Sequence, residues 1–387
     1  LRGDPYLRFN LPGRPLFDPL TALLFYGGLL LALWRWRRPG YALALVWLAV
    51  ALLPSSFSPD APSTVRLIGA LPVVYLLPGL AVDQIAVWAA MTRRRGGRTA
   101  AWALALLMAA LLLFNGARTV RDGFVRWPAE LETRLRYQTA LRDIGRAWAT
   151  GDGGAPVVAE VFFEPIDADS LRRVIGRDPA ARWVQTGGGV SGALVWPAGQ
   201  TATRLYVPEY APLDGELAAA AGLGEPLFRS PDAPSFAIYA LPARPPDAGT
   251  ATEESFGQPL AMQLNGFTLL NAKSALTDGQ LRLMSTWEVG PALPADVAVF
   301  VHLLDAGGAI VAQHDGLDAA ATTLRPGDRL VQRHVLLLPA LPPGEYQLVI
   351  GLYRRGDGER LPTAGGTGMA LLARCAPAGD GVACDLP

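Results

Sequence analysis

Residues 100–114 read AAWALALLMAALLLF, a run without a single charged side chain. The apolar character extends over residues 99–117, and a bilayer core needs about 20 residues of helix, with roughly 17–25 accepted. A surface helix of a soluble protein would carry one polar face, which this stretch lacks. The stretch therefore predicts a transmembrane helix.

Three more apolar stretches precede this one in the chain. They read LTALLFYGGLLLALW (20–34), YALALVWLAVALL (41–53) and LIGALPVVYLLPGLAVDQIAVWAA (67–90). We therefore expect about four transmembrane helices, over residues 16–36, 41–57, 65–90 and 99–117, of which the second is at the short end. The alternative is a soluble bundle of buried helices, which the lack of charge in the first, second and fourth stretches disfavours.

The composition separates a membrane part from the rest of the chain. Hydrophobic residues make up 51% of the sequence, but the long apolar runs all lie before residue 120. This pattern excludes a wholly soluble protein and a disordered chain. The 34 basic and 34 acidic residues balance, so nothing indicates a nucleic-acid partner. The chain begins with Leu1 without a signal peptide, and we expect it to be part of a longer protein.

Arginines in the short loops predict the orientation. One turn carries Arg35, Arg37 and Arg38, and another carries four arginines between residues 93 and 98, whereas the loop of residues 55–66 has only Arg66. Positive residues favour the cytoplasmic side. We expect a multi-pass plasma-membrane protein whose chain after Arg118 is extracytoplasmic.

Two polar residues near the third stretch are candidates for function. Asp83 lies inside it, where a carboxylate costs about 2.5–3.5 kcal/mol, so it should face protein or water. It is either part of a polar cavity or relay, or a structural group that is bonded to a neighbouring helix or extends toward the cytoplasmic interface. Arg66, which precedes the stretch, is either a functional group or an interfacial anchor. Pro72 and Pro78 should each kink the helix.

Beyond residue 118 the patterns predict soluble domains. Residues 119–250 mix helix and strand signals and indicate a small α/β domain. A linker rich in Pro and small polar residues covers 243–255. Seven short strand-like runs over 256–374 predict an antiparallel β-sandwich with Trp287 in its core. We expect residues 375–387 to form a tail.

Several small groups in these domains could carry chemistry. His302, Asp305, His314 and Asp315 could ligate a metal if the histidines share a face, although a structural hydrogen-bond network is the simpler interpretation. Asp167 and Asp169 could do acid–base work or serve as a helix cap and a solvated loop. The TGGG run at 186–189 could cradle a phosphate or form a plain turn. Cys375 and Cys384 could close a disulfide or remain free thiols.

Two regions resemble a known family. GDPYLRFNLPGRPLFDPLTALLFYGGLLLAL (3–33) and STVRLIGALPVVYLL (63–77) resemble the late membrane region of bacterial family 39 glycosyltransferases. These are GT-C enzymes related to protein O-mannosyltransferases and lipid-A aminoarabinose transferases. FVHLLDAGGAIVAQHD (300–315) and LPPGEYQLVIGLYRRGDGERLP (341–362) resemble β-sandwich domains fused behind such regions.

This resemblance implies the C-terminal portion of a membrane hexosyltransferase with a polyprenyl-phosphate-linked sugar donor. Under this implication Arg66 is the candidate ligand for the lipid phosphate, because guanidinium pairs well with phosphate oxygens. The family carries its catalytic carboxylates in its first extracytoplasmic loop, to which nothing here corresponds. We therefore expect no sugar transfer by this chain alone. A divalent metal is implied only by the resemblance, and membrane lipid is an expected partner. The alternative is a non-catalytic, membrane-anchored module that binds a glycan or a protein.

Overall fold

The chain divides into two compact units, Leu1–Tyr137 and Gln138–Pro387. A computed structural model describes residues 6–7, 10–57, 66–91, 97–151, 154–159, 164–178, 180–184, 186–187, 190–199, 203–243, 245, 253–257, 260–269, 279–378 and 381–385. Each unit has its own hydrophobic clusters of buried side chains.

The first unit is helical. Its helices are α1 (Pro19–Trp34), α2 (Pro39–Ser56), α3 (Leu71–Met91), α4 (Gly97–Val120), a π-helical segment (Arg121–Arg126), α5 (Trp127–Ala129) and α6 (Leu131–Arg136). Helix α1 begins where Asp18 accepts hydrogen bonds from the backbone N–H groups of Leu20 and Thr21. That contact satisfies donors that a helix start otherwise leaves free.

Three helical stretches are long and apolar enough to cross a membrane: Pro39–Ser56, Ile68–Met91 and Trp102–Ala129. Pro19–Trp34 is apolar but shorter. The sequence had indicated that the second stretch is the short one. In the structure the first stretch is the shortest. The proline prediction also needs correction. Helix α3 starts at Leu71, so Pro72 lies in its first turn, where a missing N–H costs nothing, and only Pro78 is interior.

Helices α1 and α3 approach each other closely. A Cβ atom on Gly28 would lie 1.8 Å from the carbonyl oxygen of Leu77, so only glycine fits there. Around this contact Ala32, Val73 and Leu77 are buried. This close approach at Gly28 fixes how α1 packs against α3, although α1 has no polar face that could set its orientation.

The second unit contains three α-helices and all the strands of the described residues. The helices are α7 (Thr139–Ala149), α8 (Glu164–Ile175) and α9 (Gly215–Ala220). The strands up to residue 256 are β1 (Val157–Ala159), β2 (Arg182–Val184), β3 (Thr186–Gly187), β4 (Val190–Ser191), β5 (Ala193–Trp196), β6 (Thr203–Pro208), β7 (Phe228–Arg229), β8 (Phe236–Leu241) and β9 (Glu254–Phe256). The others are β10 (Met262–Leu269), β11 (Gln280–Val289), β12 (Val297–Leu304), β13 (Ile310–Gly316), β14 (Arg329–Leu337), β15 (Tyr346–Arg354), β16 (Ala370–Ala378) and β17 (Gly381–Asp385).

The first large sheet is mixed, in the order β2-β1-β6-β8-β7. Strand β1 pairs in parallel with β2 and β6, and β8 pairs antiparallel with β6 and β7. Helix α8 connects the parallel strands β1 and β2, as such a crossover requires. Trp183 and Tyr206 of this sheet share a hydrophobic cluster with Ile144 of α7 and Leu171 of α8.

Two further sheets are antiparallel, in the orders β5-β14-β11-β10-β9 and β13-β12-β15-β16-β17. Alternate residues of β12, among them Val299 and Val301, share one buried cluster with Leu283, Trp287 and Leu330 of the other sheet. Successive side chains of a strand point to opposite faces, so one face of each sheet contributes to a common core.

The organisation of the second unit differs from the expected division at two points. Strand β5, which the sequence placed in the α/β region, pairs with β14 of an antiparallel sheet. Strands β16 and β17 extend to Asp385, where a tail was expected, and a Cys375–Cys384 disulfide joins them. Most of the expected linker over 243–255 lies outside the described residues.

Candidate functional site

The first unit gathers three arginines around one carboxylate, and we call these four residues the arginine cluster. Asp122 is only 10% exposed at its side chain. Arg14 Nε donates to its Oδ2 at 2.8 Å, and Arg126 Nη1 donates to its Oδ1 at 3.3 Å. Arg118 Nε lies 3.8 Å from Oδ2.

Local helix geometry brings these side chains together. Arg118, Asp122 and Arg126 are spaced four residues apart, which places them on one helix face. The carboxylate lies in the π-helical segment that follows α4, and such segments are frequent at functional sites. Arg14 comes from the chain before α1, which Arg118 also holds by donating to the carbonyl of Pro15.

The cluster carries excess positive charge. One carboxylate faces three guanidinium groups, and each guanidinium has five N–H donors. The side chain of Arg126 is 54% exposed, and its hydrogen bond to Asp122 uses one donor of Nη1. Guanidinium groups pair well with phosphate oxygens, because two parallel N–H donors match two oxygens. The cluster can therefore receive an anion such as a phosphate group.

A second polar contact joins α1 and α4. Asn115 Nδ2 donates to Asp18 Oδ2 at 2.8 Å, and Thr21 Oγ1 donates to the same oxygen at 2.5 Å. The other oxygen, Asp18 Oδ1, caps α1 by accepting from the N–H groups of Leu20 and Thr21. Both oxygens of this carboxylate therefore have partners. The role of Asp18 is structural.

Arg66 and Asp83, the two polar residues that sequence analysis had selected near α3, have no comparable hydrogen-bond partners among the described residues. Arg66 is exposed in the turn before Ile68–Ala70 and has no hydrogen bond to another described residue. Asp83 lies on an exposed face of α3, whereas its neighbour Gln84 is buried. Within the described part of the chain, Asp83 forms no hydrogen bond to a neighbouring helix, so the structure does not support that interpretation of its role. Arg93, Arg94 and Arg95 lie outside the described residues.

The histidines of the antiparallel sheets do not form the proposed metal site. Val301 pairs with His314 and His302 with Gln313, so His302 and His314 point to opposite faces. His302 Nε2 lies 2.9 Å from Asp315 Oδ1 on one face. Asp305 instead accepts backbone hydrogen bonds in its own turn. The described residues contain no group of three ligands that could hold a metal ion.

His314 belongs to a buried hydrogen-bond network on the other face. Ser285 Oγ lies 2.8 Å from His334 Nε2, and His334 Nδ1 lies 3.1 Å from His314 Nδ1. Nucleophile, base and orienting group follow this order in serine hydrolases. However, Ser285 and His334 have no exposed surface, and Trp287 Nε1 donates to Ser285 Oγ at 2.7 Å. A substrate cannot reach this serine, so the network is structural.

The hydrogen-bond pattern also assigns the tautomers of this network. Because the indole of Trp287 can only donate, the hydroxyl of Ser285 is free to donate to His334 Nε2. His334 then carries its proton on Nδ1 and donates to His314 Nδ1. Burial lowers the pKa of His334 well below its ordinary value, which keeps the ring neutral in this network.

The remaining sequence candidates have structural surroundings. Asp167 is fully buried in α8 and accepts a hydrogen bond from Gln138, so it neither caps the helix nor lies in a solvated loop. Asp169 forms a surface ion pair with Arg172. Thr186 and Gly187 form strand β3, and the last two glycines of the TGGG run lie outside the described residues.

Sequence analysis missed the arginine cluster. The R-x3-D-x3-R spacing at residues 118–126 was a readable signal, because it predicts one helix face. Arg14 gave no such signal, since 108 positions separate it from Asp122. No protein-family model matches this chain, and no curated protein sequence matches it.

Proposed function

We propose that this chain is the C-terminal portion of an integral-membrane glycosyltransferase that uses a polyprenyl-phosphate-linked sugar. We further propose that the arginine cluster binds the phosphate of that donor. The observation that carries the proposal is the set of Arg14, Arg118 and Arg126 around the single carboxylate of Asp122. This set stands at the end of an apolar helix of membrane-crossing length. A lipid phosphate has its charge at such a membrane surface and its chain in the hydrocarbon.

The proposed topology has four membrane spans, with α1 as the shortest. The arginine-rich turns around Arg37 and residues 93–98 face the cytoplasm, as the loop charges favour. The arginine cluster and the second unit then lie on the extracytoplasmic side. We propose that the two antiparallel sheets of that unit pack as a β-sandwich, an arrangement that their common hydrophobic cluster supports.

The chemistry follows from the donor. An acceptor hydroxyl attacks the anomeric carbon, the bond to the phosphate oxygen breaks with inversion, and the polyprenyl phosphate leaves with the bonding electrons. Negative charge grows on the phosphate as that bond breaks. Guanidinium groups fixed by Asp122 lower the energy of this charge in the transition state more than in the bound donor. We assign no residue of this chain to the base that takes the hydroxyl proton.

The alternative of a glycan-binding sandwich face has less support. Binding of sugars by stacking needs exposed aromatic rings, yet Trp287 is fully buried. In the described part of the antiparallel sheets, the large apolar side chains that are exposed are Ile310, Leu337 and Leu371, all of them aliphatic.

Binding of farnesyl phosphate to the purified full chain in detergent micelles tests the proposal. We expect the double variant Arg14→Gln, Arg126→Gln to bind at least about tenfold more weakly, because each charged hydrogen bond is worth about 1.5–3 kcal/mol. Arg136→Gln is the matched control, since Arg136 is a half-exposed arginine of the same unit that pairs with Glu132. Farnesol, which lacks the phosphate, should bind poorly.

Equal binding of farnesol and farnesyl phosphate would show that no group recognises the phosphate. Equal loss in the control variant would show that only general surface charge matters. An Arg66→Gln variant measured beside these decides whether the exposed arginine of the α2–α3 loop also contributes.

A further inference from the structure

The second unit contains a cavity of about 400 Å³ beside the mixed sheet. Its lining includes Val207 and Pro208 at the end of β6, Ala218 of α9 and Phe236 of β8. Arg229 of β7 also belongs to the lining. Ligand pockets of proteins span about 300–1,000 Å³, so this volume suits a small ligand or the end of a longer one.

The local sequence keeps this cavity open. Strand β7 has only two residues, so the sheet ends early at this edge. Helix α9 has six residues and starts at Gly215, where Asp214 accepts from the N–H of Leu217. Pro208, Pro212 and Pro226 line the cavity, and their fixed φ angles limit collapse of the connecting loops.

The polar groups of the cavity are fixed in place. Glu209 Oε2 accepts from both the hydroxyl and the N–H of Ser235, at 2.6 and 3.2 Å. These hydrogen bonds lower the pKa of Glu209, and Arg229 lowers it further. Glu209 therefore presents an oriented, ionised carboxylate to the cavity at neutral pH, with its Oε1 available to a ligand.

The charges decide the class of ligand. Two carboxylates, Glu209 and Glu225, lie with one guanidinium, Arg229, in the lining, which disfavours a phosphate or another anion. Two carboxylates are too few to hold a metal ion, and the half-buried Tyr239 offers an aromatic ring. A neutral ring with an apolar face and several hydroxyl groups satisfies all these groups together. Hydroxyls donate to the carboxylate and accept from the guanidinium.

We infer that the cavity between α9 and the β6–β8 edge binds a sugar residue of a neutral glycan. Glu209 and Arg229 bind its hydroxyl groups, and the ring of Tyr239 contacts its carbon face. This site is separate from the arginine cluster, and it could hold an acceptor glycan. Its binding does not require the proposed transfer reaction to be correct.

Saturation-transfer NMR on the full chain in lipid nanodiscs tests the inference. The probes are methyl α-D-mannopyranoside, methyl α-D-glucopyranoside and methyl α-D-galactopyranoside. We expect at least one to bind with a dissociation constant of roughly millimolar order, the range that so few atoms reach. Glu209→Gln and Arg229→Gln should each weaken it about tenfold, as loss of a charged hydrogen bond does.

Glu253→Gln is the matched control, because Glu253 is an exposed carboxylate outside the cavity lining. Ala218→Leu, which narrows the cavity without changing a charge, should also weaken binding. Failure of all three glycosides to bind would overturn the inference. So would glycoside binding that the cavity variants leave unchanged. The farnesyl phosphate measurement is independent of these results, so the two proposals can fail separately.

Discussion

Trp287 is a fully buried side chain of the core that the antiparallel sheets share. Its ring lies 5.7 Å from that of Phe256, and its indole N–H donates to Ser285. Trp287→Ala should destabilise the second unit by about 3–5 kcal/mol, because it leaves a cavity and removes the indole donor to the buried Ser285. Urea unfolding of the purified chain measures this.

Leu337→Ala serves as the control for that experiment. Its side chain is 69% exposed, so truncation should change the unfolding free energy by less than about 0.5 kcal/mol. An unchanged urea midpoint for Trp287→Ala would contradict the assignment of this tryptophan to the core.

The three histidines should make the second unit sensitive to acid. Burial lowers the pKa of His302, His314 and His334 in the fold. In the unfolded chain they titrate near 6.5, so below that pH the unfolded state binds more protons than the fold. Stability is therefore complete above about pH 6.5 and falls as the pH drops below it.

Asp318 acts with the opposite sign. Burial raises its pKa to about 6, so its carboxyl group stays protonated in the fold over a range where the unfolded chain has lost the proton. Its cost accumulates as the pH rises from 3.8 to about 6. Unfolding free energies measured from about pH 5 to 7 should show a shallower acid loss for His334→Gln and a steeper one for Asp318→Asn. Variant profiles that run parallel to the profile of the unmodified protein would disprove both effects.

Among the elements, β5 ties the two parts of the second unit together. Its residues Leu194 and Val195 are fully buried and pair with Val331 and Leu330 of β14. A fragment of residues 256–387 would leave that edge of β14 unpaired, and open edges favour aggregation. We expect the fragment 138–387 to be monomeric and to melt cooperatively, whereas 256–387 aggregates or melts earlier. Size-exclusion chromatography and thermal melting compare them, and equal behaviour would contradict a role for β5.

A buried ion pair fixes β2 to the loop before β14. Asp328 is fully buried and accepts from Arg182 Nε at 2.5 Å and from Arg182 Nη2 at 3.1 Å. Asp328→Ala should cost about 3–5 kcal/mol, because the guanidinium of Arg182 then stays buried without a countercharge, although it still donates to the carbonyl of Ala180. The double variant Arg182→Met, Asp328→Leu should recover part of that loss, as judged by urea midpoints, because it removes the uncompensated charge. A double variant no more stable than Asp328→Ala would contradict this explanation.

Local patterns predicted the elements of this protein better than their partners. The alternation in β12 and the apolar run in α4 are properties of neighbouring residues, so the sequence displays them directly. Contacts such as Arg182–Asp328, which are 146 positions apart, depend on how the chain returns upon itself. For the same reason Trp287 was correctly predicted as a core residue, whereas Arg14 of the arginine cluster was not predicted at all.

For the molecule in its membrane, the charge asymmetry of the loops makes a labelling prediction. Gly40 and Gly215 both have open space where a Cβ would lie, so cysteine fits at either position. In intact cells an impermeant maleimide should modify Gly215→Cys and spare Gly40→Cys. Permeabilised cells should label both variants. Labelling of Gly40→Cys alone in intact cells would contradict the proposed orientation and indicate the opposite one.

The state of the Cys375–Cys384 disulfide also depends on the compartment in which the last strands of each molecule folded. Reducing systems keep cytosolic thiols apart, whereas exported chains can oxidise. A molecule whose last strands never left the cytosol would retain two thiols and react with an alkylating reagent, and a correctly exported molecule would not. Because the described part of the chain holds no free cysteine, that reagent would count the misinserted fraction directly. With the proposed extracytoplasmic location of the second unit, alkylation of the final hairpin would therefore measure the quality of membrane insertion without an antibody or a tag.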